Sequence, residues 1–358
     1  MLTTYGWGRG LQQDFAPFAA QGLVAGRVIV QQRGLYRLAT EAGEIEARLS
    51  GRFHHRAGEG EHPVTGDWVA AQEGQGFALI QALLPRRTAF VRREAGTAHR
   101  LQVVAANVDV ALLTLSLNGD LNLRRLERYL AATYESGAAP VVVLSKADAC
   151  ADRGGAADAV AKIAAGAPVV AVSAVTGEGL DALSQQLEPR RTAVLLGSSG
   201  VGKSTLVNAL LGEARMATSD IRAHDERGRH TTTHRELIVL PSGALILDTP
   251  GMRELGLVEA DAGVAAVFES VEAEVEALAE ACRFRDCRHE REPGCAVQAA
   301  LADGRLDPGR FEGWLKLQRE LAHEHRKDDP LARRADQRLW ISRMKSARAH
   351  MREKRRLD

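Results

Sequence analysis

Two short motifs stand in an unusual order along this chain. The tetrapeptide Ser145-Lys146-Ala147-Asp148 comes before the glycine-rich loop Gly197-Ser198-Ser199-Gly200-Val201-Gly202-Lys203-Ser204-Thr205. The first carries the residues of a base-reading loop and the second those of a phosphate-cradling loop. Ras-like nucleotide-binding domains carry them in the reverse order. A sheet-based site depends on where its loops lie in space, and nearby chain ends allow the strands to be reconnected. The inversion predicts a circularly permuted GTPase domain built on an α/β sheet.

The phosphate loop has the right setting. An apolar run at 192–196 reads as the buried strand before it, and Leu206, Val207, Leu210 and Leu211 give the following helix an apolar face. Glycines let backbone N–H groups curl around phosphates, and the helix N-terminus adds a favourable dipole. Lys203 is expected to reach the β- and γ-phosphates, and the Ser204 hydroxyl to ligate Mg²⁺. Asp248-Thr249-Pro250-Gly251 follows another apolar run, 244–247. That places Asp248 beside the metal and the Gly251 N–H at the γ-phosphate.

The base-reading loop follows a predicted strand at 141–144. Asp148 is expected to accept from the guanine N1 and N2 donors, which adenine does not offer. A site built on that acceptor rejects adenine, because the carboxylate would otherwise go unpaired. Lys146 is expected along the base face. Ser145 stands where Asn is usual, so a shorter group with fewer donors begins the loop. Ser173-Ala174, after a strand at 169–172, fits a backbone contact to the base O6. The polar stretch 214–234 carries Thr231-Thr232-Thr233, one of whose hydroxyls is expected to complete the Mg²⁺ shell in a γ-phosphate-ordered switch. Met252 occupies the position of the usual water-orienting glutamine. A thioether cannot position water, so slow intrinsic hydrolysis is expected, with His230 the best internal candidate for completing the site alongside Thr232 and Thr233.

Upstream, short strands at 24–31, 35–39, 45–49, 67–71 and 77–84 are punctuated by Gly34, Gly43, Gly51, Gly66 and Gly74. They predict a small β-barrel, for which an OB-fold and an SH3-like module fit equally well. Arg33, Arg37, Arg48, Arg52 and Arg56 give it basic positions suited to a phosphate backbone. From 108 the grammar changes: strand 108–115, helix 123–136, the strands already named, and a hairpin of 237–240 and 244–247. Such alternation argues for a mostly parallel sheet covered on both faces. Beyond Gly256 the chain is helical, with Val264, Val267, Phe268, Val271, Val275 and Leu278 on one face of a helix closed by Cys282. A second helix, 308–326, uses Phe311, Trp314, Leu315 and Leu321.

Three of the four cysteines fall in Cys282-x4-Cys287-x-His289-x5-Cys295. Three thiolates and an imidazole make a closed tetrahedral Zn²⁺ site, structural because no position is left open. Arg283, Arg285, Arg288 and Arg291 surround it, and Cys150 stands apart. A net charge of +1 gives no global argument for nucleic acid, but 326–358 holds 12 Lys/Arg against 5 Asp/Glu. No apolar run approaches the ~18 residues of a membrane span. The N-terminus lacks a basic region followed by an apolar core, and the cysteines do not make a disulfide framework, so a cytoplasmic protein is expected.

The combination resembles one family over nearly the whole chain, the ribosome small-subunit-dependent GTPase A family (RsgA). Gly200-Val201-Gly202-Lys203-Ser204, His230-Thr231-Thr232-Thr233 and Thr176-Gly177-Glu178-Gly179-Leu180 look like family segments. The resemblance implies an N-terminal OB-fold and binding to the small ribosomal subunit through its rRNA. It also implies a late maturation role, with GTP hydrolysed to GDP and phosphate under stimulation by the subunit. The expected division is a barrel over 1–95, the permuted GTPase domain over 96–256, a helical zinc-binding module over 257–326 and a basic tail over 327–358. A monomer is expected. Ser145 and the long basic C-terminus depart from the family pattern. Two rivals fit the residues: a permuted GTPase acting on the large subunit, and a non-hydrolysing GTP-dependent RNA-binding switch. An ATPase or kinase leaves Asp148 unexplained. The permutation also places the DTPG switch just before the C-terminal module, so nucleotide state is expected to pull on that module through a short covalent link.

Overall fold

Alternating apolar residues close the first part of the chain into a ring. A computed structural model describes residues 1–32, 34–58, 60–93, 101–117, 121–216, 235–248, 261–290 and 292–328. Helix α1 (Arg9–Ala19) leads into strands β1 (Val24–Gln32), β2 (Leu35–Thr40) and β3 (Glu44–Leu49). Helix α2 (Gly51–Arg56) then precedes β4 (Trp68–Glu73) and β5 (Ala78–Leu83). The pairing order is β1-β2-β3-β5-β4, and β4 returns to β1. Within the ring β3 and β5 run parallel and the other pairs antiparallel. This order, with a helix between β3 and β4, is the OB-fold arrangement, and the SH3-like alternative falls away. Val28, Tyr36, Leu38, Val69 and Ile80 fill its interior.

After the two-stranded ribbon β6 (Ala89–Arg93) and β7 (Leu101–Ala106), the second sheet begins with β8 (Val110–Ser116). It continues through α3 (Leu123–Ser136), β9 (Ala139–Ser145), α4 (Arg153–Ala161), β10 (Val169–Ala171) and α5 (Leu180–Gln185). Next come β11 (Thr192–Leu196), α6 (Lys203–Leu211), β12 (Arg235–Val239) and β13 (Leu245–Asp248). The strands β10-β9-β8-β11-β13 are parallel neighbours, and β12 adds antiparallel to β13. Strand β8 shows why its sequence has no polar face. Val110 and Leu112 pack with Leu183 and Leu206 on one side, while Leu113 and Leu115 pack with Leu126 and Phe268 on the other. A strand buried on both faces reads as a continuous apolar run.

Strand β12 also pairs with β1, at Val30↔Glu236 and Gln31↔Arg235, so barrel and parallel sheet form one sheet of 11 strands. At the junction lies Arg27, fully buried over the Trp68 ring at 5.2 Å.

The C-terminal helices are α7 (Asp261–Ala279), α8 (Ala296–Ala302) and α9 (Pro308–Asp328). Val264, Val267, Phe268, Val271 and Val275 are buried, as their spacing predicts. Helix α7 lies directly on α3: a Cβ at Gly263 would sit 2.0 Å from the Ala131 carbonyl oxygen, so only glycine permits this crossing. The helix ends at Ala279, short of Cys282. Turn bonds from Ala281 N to Leu278 O and Cys282 N to Ala279 O carry the chain out, leaving Cys282 in the loop that holds its fellow cysteines.

Candidate nucleotide site and metal cluster

Because β8, β9, β10, β11 and β13 are parallel, their C-terminal ends share one edge. The chain runs outward through β9 and β10 on one side of β8 and through β11 and β13 on the other. In open α/β sheets ligands bind outside the carboxyl ends of the strands at such a switch point. Ser145 ends β9, Ser173-Ala174 follow β10, the glycine-rich loop follows β11, and Asp248 ends β13.

The glycine-rich loop needs its glycines. Gly197 has φ 155°, and a Cβ there would come within 2.5 Å of the Thr114 carbonyl oxygen. Gly202, at φ 93°, is the residue from which α6 starts. The Lys203 ammonium donates to the carbonyls of Gly197 at 2.7 Å and Ser198 at 2.6 Å, which holds the cation against the loop. Val201 is buried, Ser204 and Thr205 are half-buried, and Ser199 and Gly200 are exposed.

Ser145 joins the two motifs. Its buried hydroxyl lies 2.6 Å from the Val201 carbonyl of the phosphate loop and 3.0 Å from the Leu115 carbonyl. A hydroxyl has one proton to donate, so it serves one of these acceptors at a time. The residue that departs from the usual Asn thus bridges loops 56 positions apart. Lys146 has φ 57°, a left-handed conformation rare for a residue with a side chain, and its Cε lies 4.0 Å from where a Gly202 Cβ would be. The Ala147 N–H donates to Val172 O at 3.1 Å, tying together the loops after β9 and β10. Asp148 is exposed, while Ser173 is fully buried and its hydroxyl accepts from Thr176 N at 3.1 Å. Ala174 and Asp248 are half-buried.

His230, Thr231, Thr232, Thr233, Gly251 and Met252 lie outside the described residues, as do Arg33 and Arg291. One residue of this neighbourhood carried no motif signal. Arg125, near the start of α3, donates from Nη1 to the Ser198 hydroxyl at 3.0 Å. In the sequence it is only one member of an Arg-Arg pair on a helix.

The cysteine cluster is equally definite. The ligand atoms of Cys282, Cys287, His289 and Cys295 lie within 4.8 Å of one another. His289 Nδ1 is 3.7 Å from Cys282 Sγ and 3.5 Å from Cys295 Sγ, and those sulfurs are 3.9 Å apart. A tetrahedron with ordinary zinc bond lengths has S···S of about 3.8 Å and S···N of about 3.6 Å. The donor set and its spacing therefore fit a metal ion. His289 adopts φ 58°, and its carbonyl accepts from Gln298 Nε2 at 2.5 Å. Cys295 is the N-cap of α8, its sulfur accepting from Gln298 N at 3.5 Å.

A family model described as RsgA GTPase matches residues 83–258. A protein named small ribosomal subunit biogenesis GTPase RsgA, from Opitutus terrae, is 48% identical over 95% of this chain and 95% of its own length. The chain belongs to the RsgA family. A relative of the same name from Streptomyces coelicolor is 45% identical over 99% of this chain and 96% of its own. Among solved structures, YjeQ from Thermotoga maritima superposes with a TM-score of 0.58 at 24% identity, covering 84% of this chain and 99% of that one. YloQ, described as a circularly permuted GTPase, gives 0.54 at 23% identity over 84% and 96%. These likenesses show the fold: a permuted GTPase sheet with an OB-type barrel before it and an RsgA-like helical module after it.

Proposed function

We propose that this RsgA-family chain binds the small ribosomal subunit through its rRNA, hydrolyses GTP to GDP and phosphate under stimulation by that subunit, and assists its late maturation. The observation that carries the reading is the bond from Ser145 to Val201, which joins a guanine-type loop to a phosphate-type loop on one sheet edge. The names of the curated relatives, which match over nearly their full length, support the ribosomal part.

In this reading Asp148 accepts from the guanine N1 and N2 donors, with Lys146 along the base and Ser145 and Ala147 shaping the loop. Ser173 and Ala174 stand at the base O6. The backbone from Gly197 through Thr205 cradles the phosphates, and Lys203 neutralises the β- and γ-phosphate charge. Ser204 and Asp248 would hold Mg²⁺; a hydroxyl and a carboxylate are the hard oxygen donors that ion takes. When bound, Mg²⁺ would supply positive charge to offset that of the phosphates. Gly251 would sense the γ-phosphate. His230, Thr232 and Thr233 are the proposed catalytic residues in the absence of a glutamine at 252.

Cys282, Cys287, His289 and Cys295 would hold one structural Zn²⁺ per chain. The exposed Arg37, Arg48, Arg52 and Arg56 of the barrel, and Arg283, Arg285 and Arg288 beside the cluster, provide cations for an RNA backbone. We assign the barrel to 1–95, the GTPase domain to 96–256, the zinc module to 257–326 and the tail to 327–358. The reading includes a monomer working in the cytoplasm, where ribosomes mature. No helix among the described residues is long and apolar enough to cross a membrane.

Phosphate release with purified subunits tests this function. Small subunits are expected to accelerate GTP turnover, with large subunits and ATP ineffective. Equal stimulation by large subunits, or no turnover with either, would favour the rival readings.

A further inference from the structure

Helix α3 reaches the phosphate loop through Arg125 and the C-terminal module through several residues. Arg125 Nη1 donates to the Ser198 hydroxyl at 3.0 Å. On the module side, Arg128 makes two bonds to Glu320 of α9, at 2.8 and 2.9 Å, and Arg124 pairs with Glu312. One helical turn further on, the backbones of α3 and α7 meet at Ala131 and Gly263, and Gly263 N donates to Glu135 Oε2 at 3.0 Å.

We propose that Arg125 is a positioning residue through which α3 couples the C-terminal module to the phosphate loop, so that displacement of the module changes affinity for GTP. The inference rests on the nucleotide-site reading above.

Ser198 is held by two cations from two different helices. Lys203 takes its carbonyl from α6, and Arg125 takes its hydroxyl from α3. Hydrogen bonds from a charged donor are roughly twice as strong as neutral ones and depend closely on geometry. A helix moves as a unit, and at Gly263 there is no side chain to absorb a shift between α7 and α3. A push on α7 is therefore delivered to α3, and Arg125 is where α3 grips the loop. Both Arg125 and Ser198 make further interactions, so the bond is one strand of a local network. This route differs from the covalent link through 249–260, which lies outside the described residues.

The test is a double-mutant cycle on the full chain, reading the Kd of a fluorescent non-hydrolysable GTP analogue at fixed Mg²⁺. Gly263→Ala wedges α7 away from α3, and Arg125→Ala cuts the grip. Each is expected to weaken binding about fivefold, with the double variant no weaker than the poorer single. Arg125→Lys, which keeps a cationic donor, should recover most of the loss. Additive losses, about twenty-fivefold in the double variant, would overturn the coupling. Failure of Arg125→Lys to recover any affinity would also count against it. If thermal melting shows Gly263→Ala unfolded, the paired change Glu312→Ala/Glu320→Ala replaces it in the same cycle. A wild-type chain that does not bind the analogue would overturn the nucleotide-site reading itself and the coupling with it. Binding with additive losses overturns the coupling alone.

Discussion

The parallel sheet is joined to its two neighbours in different ways. The barrel joins it by backbone: β12 hydrogen-bonds to β1, and Thr65 Oγ1 donates to Arg235 O at 3.2 Å. Arg27 locks that junction, donating to the carbonyls of Tyr5, Gly66 and Asn107 and to Thr192 Oγ1. Burial lowers its pKa to about 10 against the pull of Asp109 and Asp67, so it remains charged at neutral pH. The helical module joins by helix packing instead: α7 crosses α3 at Gly263, Phe268 lies in one buried core with Leu126, and the half-exposed pair Arg128–Glu320 and the exposed pair Arg124–Glu312 rim the contact. Between them sits Glu127, buried and pushed up to about 7 by that burial, with Arg124 and Arg310 opposing and Asp307 adding to the shift. A continuous ladder moves as one body. A joint of packed helices rimmed by ion pairs has no such ladder. The barrel should thus travel with the nucleotide sheet, and the module should respond to it.

The largest expected effect separates the module from everything else. Structural zinc contributes on the order of 10 kcal/mol to small metal-dependent folds. Chelation should therefore abolish hydrogen-exchange protection over 282–302 while β1 and β12 stay protected. Equal loss in both regions would merge the two joints into one. Next comes Arg27→Met, which leaves its buried acceptors without their donor and should destabilise the chain by about 3–5 kcal/mol. Denaturant unfolding would measure it, and an effect near that of an exposed arginine would show that the lock is not needed.

Glu127→Gln is expected to act in the opposite direction. A carboxyl titrating at about 7 when folded, against an ordinary value near 4.3 when unfolded, contributes stability below the unfolded pKa that is lost as pH rises through the folded one. The amide does not titrate, so the variant should be more stable by about 2 kcal/mol at about pH 8, the gain vanishing below about pH 4. Melting curves across that window would show it, and parallel curves would contradict it. The smallest effect is that of Glu320→Ala. Its pair with Arg128 is over a third exposed on both sides, and such pairs contribute about 0.5 kcal/mol or less.

Much of this molecule was legible in sequence because its signals are local. Helix α3 and strand β11 fall on their predicted residues, since caps and apolar spacing mark them: Asn122 accepts from Arg125 N, and Gly137 ends the helix. The cluster of three cysteines and His289 was readable because its members fall in one short stretch of chain, and their ligand atoms do meet. Helix α1 was not. Its stripe is short, Leu11, Phe15 and Phe18 at i, i+4 and i+7 with only Leu11 fully buried, and Pro17 inside it reads as a helix breaker. The ribbon of β6 and β7 was hidden because its strands meet each other rather than the main sheet. Arg27 and Arg125 could not be assigned either. The partners that give them meaning are up to 165 positions away for Arg27 and 73 for Arg125, and only the fold brings them near.

The central claim is that loops out of sequence order make one guanine-nucleotide pocket, with Asp148 reading the base whose phosphates Lys203 holds. Asp148→Asn tests it in a competition between GTP and xanthosine triphosphate. Xanthine carries a carbonyl where guanine has its amino group, so an amide donor at 148 suits it and a carboxylate does not. The account predicts that the variant loses GTP affinity by at least about a hundredfold and gains affinity for xanthosine triphosphate. Undiminished GTP binding by the variant, with no gain for xanthosine triphosphate, would show that the base is read elsewhere.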